Sequence, residues 1–185
     1  MMLSKPEFLN SKGKYIKQIS QGAVFIYPTD TIYGLGCDAT NKKAVQRLRK
    51  LKNKNVMPLS VIAPSKQWII DNCEYKQEWL DKLPGPYTLI MKLKNAKCVA
   101  TEVPLGRETL GVRIPDHWIS GVVQLTGKPL VTTSANITGQ NYMEKIDDLP
   151  SQLQHVDFII YEGKSNGKPS ALVDLTEKKP RIIKR

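Results

Sequence analysis

Short apolar runs alternate with segments of helical periodicity, and this alternation limits the possible folds more than any other feature of the chain. Strands are predicted at 23–27, 58–63, 87–93, 110–114, 129–134, 157–161, 171–175 and 181–184. Helices are predicted at 14–20, 42–53, 65–72, 76–83, 117–126 and 147–154. Strands interleaved with helices predict an α/β fold with a twisted, mixed sheet flanked by helices. The 185 residues suit a single domain over 1–185 and are few for two.

The helix at 42–53 has the clearest pattern. Asn41 can cap its amino terminus, and Val45, Leu48 and Leu51 recur at the helical period. Basic residues fill the other positions, so we expect an apolar side towards the sheet and a basic side towards solvent.

The net charge of +11 indicates an anionic partner. Basic runs lie at 42–54, 92–97 and 178–185. Such an excess attracts polyanions such as RNA, or nucleotide phosphates. A merely solvated basic surface is the alternative for most of these lysines.

The cysteines and histidines argue against a disulfide framework or a transition-metal site built by the protein. Cys37, Cys73 and Cys98 lie far apart without a CxxC pair, and His117 and His155 are the only histidines. The first residues lack the apolar core of a signal peptide, and no stretch approaches the ~18 apolar residues of a membrane span. We therefore expect a cytoplasmic protein without metal ligands of its own.

Three polar clusters follow or separate predicted strands, at 28–36, 52–60 and 132–139. In open α/β sheets, ligands bind at strand ends where such loops meet. Ser134 and Asn136 could direct a hydroxyl and an amide at one ligand. Each cluster could also be only a turn or a helix cap.

Charged residues near these clusters suggest the chemistry of the ligand. Lys52 and Lys54 could neutralise phosphate oxygens, although Lys52 could also be ordinary helix surface. Arg113 lies in an apolar strand, where a charge needs a partner or a ligand. The sequence contains neither a Walker motif nor GxGxxG. The residues alone predict an anion or nucleotide site on an α/β domain.

Six ordered blocks carry a more specific signal. They read PTDTIYGLG (28–36), AVQRLRKLKNKNVMPLS (44–60), LPGPYTLIMK (83–92), TLGVRIPDH (109–117), PLVTTSANITG (129–139) and PSALVDLT (169–176). Together they resemble the YrdC/TsaC family of threonylcarbamoyl-AMP synthases in its short single-domain form, over most of 20–185. The resemblance implies a YrdC-like fold with an open basic cleft.

The resemblance also implies a nucleotidyltransferase reaction. The amine of L-threonine is carboxylated by bicarbonate or CO2, the carbamate attacks the α-phosphorus of ATP, and pyrophosphate leaves. Mg²⁺ would be carried with ATP, with no dedicated protein site. The product, threonylcarbamoyl-AMP, would pass to a transferase complex of the TsaD/Kae1 type, which modifies adenosine 37 of tRNAs that read codons beginning with A.

Roles for single residues follow from the same resemblance. The residues expected to bind L-threonine are Thr31, Arg113, Thr132 and Ser170. The residues expected to bind ATP are Lys54, Met57, Thr109, Ser134, Asn136, Tyr142 and Lys184. Lys52 and Lys54 are expected to be catalytic through their charge. The glycines of 28–36 are expected to let the backbone approach the ligand.

The chain departs from the family pattern at three positions. Lys54 replaces the arginine of a KxR motif, Ile62 stands where many relatives carry a histidine, and Lys184 aligns with an arginine. A lysine keeps the charge of an arginine but loses its bidentate fork, so these changes bear on ATP contact.

Two other functions stay open. The basic surface could belong to a non-catalytic module that binds tRNA or double-stranded RNA, with strongly salt-dependent affinity. A carbamoyl-transfer domain of the hydrogenase-maturation type is the other, although the zinc-finger cysteines of that longer protein are missing here.

Overall fold

The structure, a computed structural model, describes residues 1–53 and 57–183. Its strands are β1 Met2–Leu3, β2 Phe25–Tyr27, β3 Gly34–Gly36, β4 Ser60–Ile62, β5 Tyr87–Lys92, β6 Thr109–Arg113, β7 Leu130–Ser134, β8 Phe158–Ile160, β9 Ala171–Asp174 and β10 Arg181–Ile183. Its α-helices are α1 Lys5–Asn10, α2 Lys12–Ser20, α3 Lys42–Lys52, α4 Lys66–Asn72, α5 Gln77–Leu80 and α6 Ile119–Thr126. Short 3₁₀ helices lie at Ala96–Cys98, Ile146–Asp148 and Ser151–His155.

In the described part of the chain the strands form one ten-stranded sheet, in the order β1-β8-β2-β3-β7-β4-β6-β5-β9-β10. β8 runs parallel to β1 and β2, β4 runs parallel to β6, and β5 runs parallel to β9. The other neighbouring strands are antiparallel. The predicted α/β fold, with a mixed sheet flanked by helices, is therefore confirmed.

Three local predictions differ from the structure. The last three residues of the loop at 28–36 form the interior strand β3, which pairs with β2 and β7. The predicted helix at 147–154 is wrong: two 3₁₀ helices stand there, separated at Pro150, which cannot donate a backbone hydrogen bond. Helix α1 was not predicted, although Ser4 and Glu7 form a capping box at its start.

Alternation of side chains along the strands divides the core between the two faces of the sheet. On one face, Val61, Leu89, Val112 and Val131 pack in the same apolar cluster as the buried side of α3. On the opposite face, aromatic and aliphatic side chains of α1, α2 and α6 pack over the half of the sheet that contains β2 and β8.

Within the described residues, no helix over the other half of that second face belongs to the same apolar cluster. Ser60 lies on this face because Ile62, two residues later, packs in the cluster of α6. The neighbouring strands also carry small or hydroxyl-bearing residues on this face, namely Thr88, Gly111 and Thr132. Gly111 is required because an added Cβ would lie 2.5 Å from the Ser60 Oγ. This half of the sheet therefore carries several small and hydroxyl-bearing residues, with the apolar Ile90 and Leu172 beside them, and it can form the floor of a site.

Helix α3 begins as predicted. The Asn41 side chain accepts a hydrogen bond of 3.1 Å from the Ala44 amide. Val45 and Leu48 are fully buried, and the helix ends at Asn53 in a left-handed conformation with φ of 52°. Of the helices within 1–53 and 57–183, none is long and apolar enough to cross a membrane.

Candidate active site

A cavity of about 470 Å³ lies over the polar half of the sheet. Its floor is formed by Ser60, Thr88 and Gly111, and Thr29, Ile32 and Tyr33 of the loop after β2 also line it. Six residues with predicted binding roles line the same cavity: Met57, Thr109, Arg113, Thr132, Ser134 and Ser170. The fold therefore brings together side chains that lie far apart in sequence, from Thr29 to Leu172.

Arg113 is the last residue of β6 and lines the cavity near the loop that follows β2. It is only 5% exposed, and its Nη2 forms an ion pair of 2.5 Å with the Asp30 carboxylate. Its Nη1 donates to the Thr31 Oγ1 at 3.1 Å. Burial lowers the pKa of the guanidinium and Asp30 raises it again, but an arginine remains charged in proteins. Among the described residues no acceptor meets the buried Nε, so the hydrogen-bonding capacity of this N–H is unused there.

The hydroxyl groups of Thr29 and Thr31 form a directed chain with Arg113. Thr29 Oγ1 lies 2.8 Å from the Ile32 carbonyl oxygen, so the Thr29 proton is used there. The Thr31 hydroxyl lies 2.9 Å from the Thr29 Oγ1 and must donate to it. Thr31 is 4% exposed and is not among the residues that line the cavity. Its predicted contact with L-threonine stays a prediction.

Gly34 and Gly36 of this loop are needed for close packing between strands, and the expected approach of the backbone to a ligand stays a prediction. A Cβ on Gly36 would lie 2.3 Å from the Val131 carbonyl oxygen and 2.8 Å from the Tyr27 ring. A Cβ on Gly34 would lie 3.0 Å from the same ring. Both glycines belong to β3 and make room for Tyr27, which is fully buried. Close strand packing therefore accounts for them in this structure.

Residues 165–170, which precede β9, pack against the loop that follows β2. The Ser165 hydroxyl donates to the Thr31 carbonyl oxygen at 3.1 Å. A Cβ on Gly167 would lie 1.6 Å from that oxygen, so only glycine fits there. Ser170, at the end of the segment, shares a hydrogen bond of 2.8 Å with Thr88 on the cavity floor.

Lys52 is buried and holds the polar cluster that follows β7. Its Nζ donates to the Ser134 carbonyl oxygen at 2.6 Å and to the Asn136 carbonyl and Oδ1 oxygens at 3.0 and 2.5 Å. Ser134 Oγ donates to the Asn136 Oδ1 at 2.7 Å. Lys52 is only 3% exposed and does not line the cavity. It is therefore not ordinary helix surface, and its position is that of an anchor for Ser134 and Asn136.

The other residues with predicted binding roles differ in whether they line the cavity. Thr109 and Thr132 line the cavity from β6 and β7, and Met57 lines it with a side chain that is 52% exposed. Tyr142 is half-buried and is not among the lining residues. Lys54 and Lys184, both expected to meet ATP, lie outside the described residues. The predicted basic character of the cleft stays a prediction.

Two arginines near the cavity were missed by the sequence analysis. Arg107 lines the cavity just before β6. Arg49 is buried on α3 and donates to the backbone oxygens of Met57 and Glu102 at 2.9 and 2.8 Å. Arg49 lies four residues after Val45, on the buried side of the helix, and this spacing was a signal for its burial.

The donor set does not suit a metal site built by the protein. The described residues that line the cavity offer hydroxyl groups, backbone atoms and guanidinium groups, with no carboxylate among them. No group of three or more His, Cys, Asp or Glu side chains in the described ranges could hold a metal ion.

Comparison with known proteins gives a consistent result. The family model for Sua5, YciO and YrdC proteins, described as "Telomere recombination", matches residues 17–185. A threonylcarbamoyl-AMP synthase of Vibrio campbellii is 35% identical over 170 residues, which are 86% of this chain and 91% of that protein.

Two solved structures are similar over the whole chain. The crystal structure of P. abyssi Sua5 complexed with L-threonine matches with a TM-score of 0.86 at 25% identity, over 100% of this chain and 56% of that chain. The present chain thus spans little more than half the length of that Sua5. The crystal structure of E. coli YciO matches with a TM-score of 0.85 at 22% identity, over 100% of this chain and 94% of that chain. At this identity the likeness concerns the fold alone.

Proposed function

The chain belongs to the Sua5/YciO/YrdC family, and on this basis we propose that it is a threonylcarbamoyl-AMP synthase. Membership confirms the resemblance found in the six sequence blocks. The chain is an enzyme, a synthase of the nucleotidyltransferase type, and the V. campbellii relative is named threonylcarbamoyl-AMP synthase. Its substrates are proposed to be L-threonine, bicarbonate or CO2, and ATP, and its products threonylcarbamoyl-AMP and pyrophosphate.

The observation that carries the proposal is the Arg113 corner of the cavity. Arg113 lines a cavity that contains several hydroxyl groups, and its guanidinium, whose Nε–H meets no acceptor among the described residues, suits the carboxylate of an amino acid. L-threonine is proposed to bind here because Thr132 and Ser170, which line the same cavity, have small polar side chains. The P. abyssi relative, whose structure was solved with L-threonine, supports this choice.

The nucleotide is proposed to bind at the other side of the cavity, around Ser134. Asn136 is held there by Lys52 and by its own bond to the Gln140 carbonyl oxygen, so its position is fixed before any ligand arrives. Thr109 and Met57 are proposed to contact the nucleotide as well. Lys54 and Lys184 are proposed to supply charge near the phosphates.

The chemical step needs two anions to meet, so positioning and fixed positive charge are the main requirements. The carbamate of L-threonine is directed at the α-phosphorus, a P–O bond forms, and the bond to pyrophosphate breaks. The described cavity residues include no carboxylate for Mg²⁺, so a metal ion is proposed to enter as part of the Mg–ATP substrate. A transferase of the TsaD/Kae1 type is the proposed consumer of the product.

The test is the release of pyrophosphate by the purified protein with Mg–ATP and bicarbonate, with and without L-threonine. The proposal expects release that requires L-threonine, together with an AMP conjugate of the mass of threonylcarbamoyl-AMP. Release that ignores L-threonine would contradict it. Salt-dependent binding of double-stranded RNA without turnover would favour the binding-module alternative instead.

A further inference from the structure

Asp30 joins the loop after β2 to the end of β6. Its side chain is 11% exposed, and both carboxylate oxygens have partners. Oδ1 accepts from the Arg113 Nη2, and Oδ2 accepts from the Asp116 amide at 3.0 Å. The carboxylate cannot turn without breaking one of these bonds, so its position is fixed.

Arg113 is in turn fixed at two of its three nitrogens. Nη2 is held by Asp30, and Nη1 is held by the Thr31 Oγ1. Because a guanidinium is planar and rigid, two anchored nitrogens determine the direction of every remaining N–H. One of these is the buried Nε–H, which has no acceptor among the residues that the structure describes.

The threonines of the loop cannot replace Arg113 as hydrogen-bond donors. The Thr29 proton goes to the Ile32 carbonyl oxygen and the Thr31 proton goes to Thr29. Both hydroxyl protons therefore point away from any carboxylate that enters this corner. Recognition of a carboxylate by the loop side of the cavity thus depends on the direction of the Arg113 guanidinium.

We infer that Asp30 is a positioning residue for the carboxylate of the amino-acid substrate. It holds the guanidinium of Arg113 so that the free N–H groups are directed before the substrate binds, and it does not touch the substrate itself. Asp30 does not line the cavity, whereas Arg113 does. This inference rests on the proposed function, since it requires an amino acid as the ligand of Arg113.

A purely structural role is the competing explanation, since Asp30 also neutralises a buried charge. The two roles differ in what they affect. A structural role lowers stability and affects all ligands, whereas a positioning role affects only ligands with a carboxylate and only when Arg113 is present.

The experiment compares Asp30→Asn with the unaltered full chain by calorimetric titration and by pyrophosphate release. The ligands are L-threonine, L-threoninamide, which lacks the charged carboxylate, and ATP. Asp38→Asn is the control: the Asp38 side chain is 2% exposed, compared with 11% for Asp30, it forms an ion pair of 2.9 Å with Lys128, and like Asp30 it does not line the cavity. The same substitution is repeated in an Arg113→Lys background, where no rigid fork remains to be directed.

We expect Asp30→Asn to raise the Kd and KM of L-threonine about 10- to 100-fold, the range for one hydrogen bond to a charged group, with kcat changed less than about threefold. Affinities for L-threoninamide and ATP should stay within about twofold, because neither ligand places a carboxylate against Arg113. In the Arg113→Lys background the added effect should largely disappear.

An unchanged Kd for L-threonine in folded Asp30→Asn would overturn the inference. An equal loss for L-threoninamide, or the same loss in the Arg113→Lys background, would do so as well. If Asp30→Asn does not fold, Asp30→Glu carries the test, because it keeps the charge but moves it by one methylene. A parent protein that binds no L-threonine would overturn the proposed function and this inference together, whereas a parent that binds it and an insensitive variant overturn the inference alone.

Discussion

Replacement of Lys52 by methionine is the most direct test of how the cluster after β7 is held. Methionine keeps the length and burial of the side chain but removes the ammonium group. The backbone oxygens of Ser134 and Asn136 then lose a charged donor at 2.6 and 3.0 Å. Hydrogen bonds to charged groups contribute about 1.5–3 kcal/mol each, and a stranded buried acceptor costs about 1–3 kcal/mol.

These contributions do not simply add. Asn136 Oδ1 keeps the Ser134 hydroxyl as a donor. Burying a methionine also avoids the cost of desolvating an ammonium group. We therefore expect Lys52→Met to lower the free energy of unfolding by about 2–4 kcal/mol, within the range for a broken buried polar network. Affinity for ATP should fall more than affinity for L-threonine.

Urea unfolding and calorimetric titration of both ligands measure these effects. Lys50→Met is the matched control, because Lys50 lies on the same helix with an exposed side chain and should change stability by at most about 0.5 kcal/mol. If Lys52→Met is as stable as Lys50→Met and binds ATP normally, the anchoring role of Lys52 is wrong. Normal stability and ATP affinity with abolished turnover would instead favour a direct role in catalysis.

Three further outcomes follow from the structure. Ser134→Ala should weaken ATP binding by about 0.5–1.5 kcal/mol and leave L-threonine binding nearly unchanged, as titration of both ligands can check. Gly36→Ala should cost about 3 kcal/mol or more in urea unfolding because its Cβ would collide with a backbone oxygen, whereas Gly121→Ala on α6, with open space around it, should be neutral or stabilising. Burial lowers the pKa of His117 despite the nearby Glu162, so protonation favours the unfolded chain. The free energy of unfolding should therefore fall as the pH drops below 6.5, the ordinary pKa of histidine, and His117→Asn should flatten that fall. An equally steep fall in the variant would exclude His117 as its origin.

Most of the sheet could be predicted because its strands are continuous apolar runs bounded by turn residues. β5, β6 and β7 fall within the predicted ranges to within one residue. β3 was missed because two of its three residues are glycines, which carry no strand signal. Its formation depends on Tyr27 packing over it, a tertiary contact that no local pattern reveals.

The positions of Arg113 and Lys52, the two charged residues that anchor the site, could be predicted from the sequence to different degrees. A charge inside the apolar strand at 110–114 predicted that Arg113 needs a partner, and Asp30 is that partner. Lys52 was harder, because the basic pattern of its helix favoured a solvent-facing side chain. Its position seven residues after Val45 sets it on the buried side of α3, and only the cluster after β7 explains why a charge is tolerated there.

β7 belongs both to the apolar core and to the cavity. Leu130 packs beneath α6, and Thr132 and Ser134 follow on the same face of the strand. β3 and β4 pair with β7 on either side, so β7 cannot shift at one end without moving at the other. A substitution that repacks the core at Leu130 would therefore displace the two cavity residues farther along the strand. Any effort to engineer greater thermal stability into this protein through that core would have to screen each variant for substrate affinity as well.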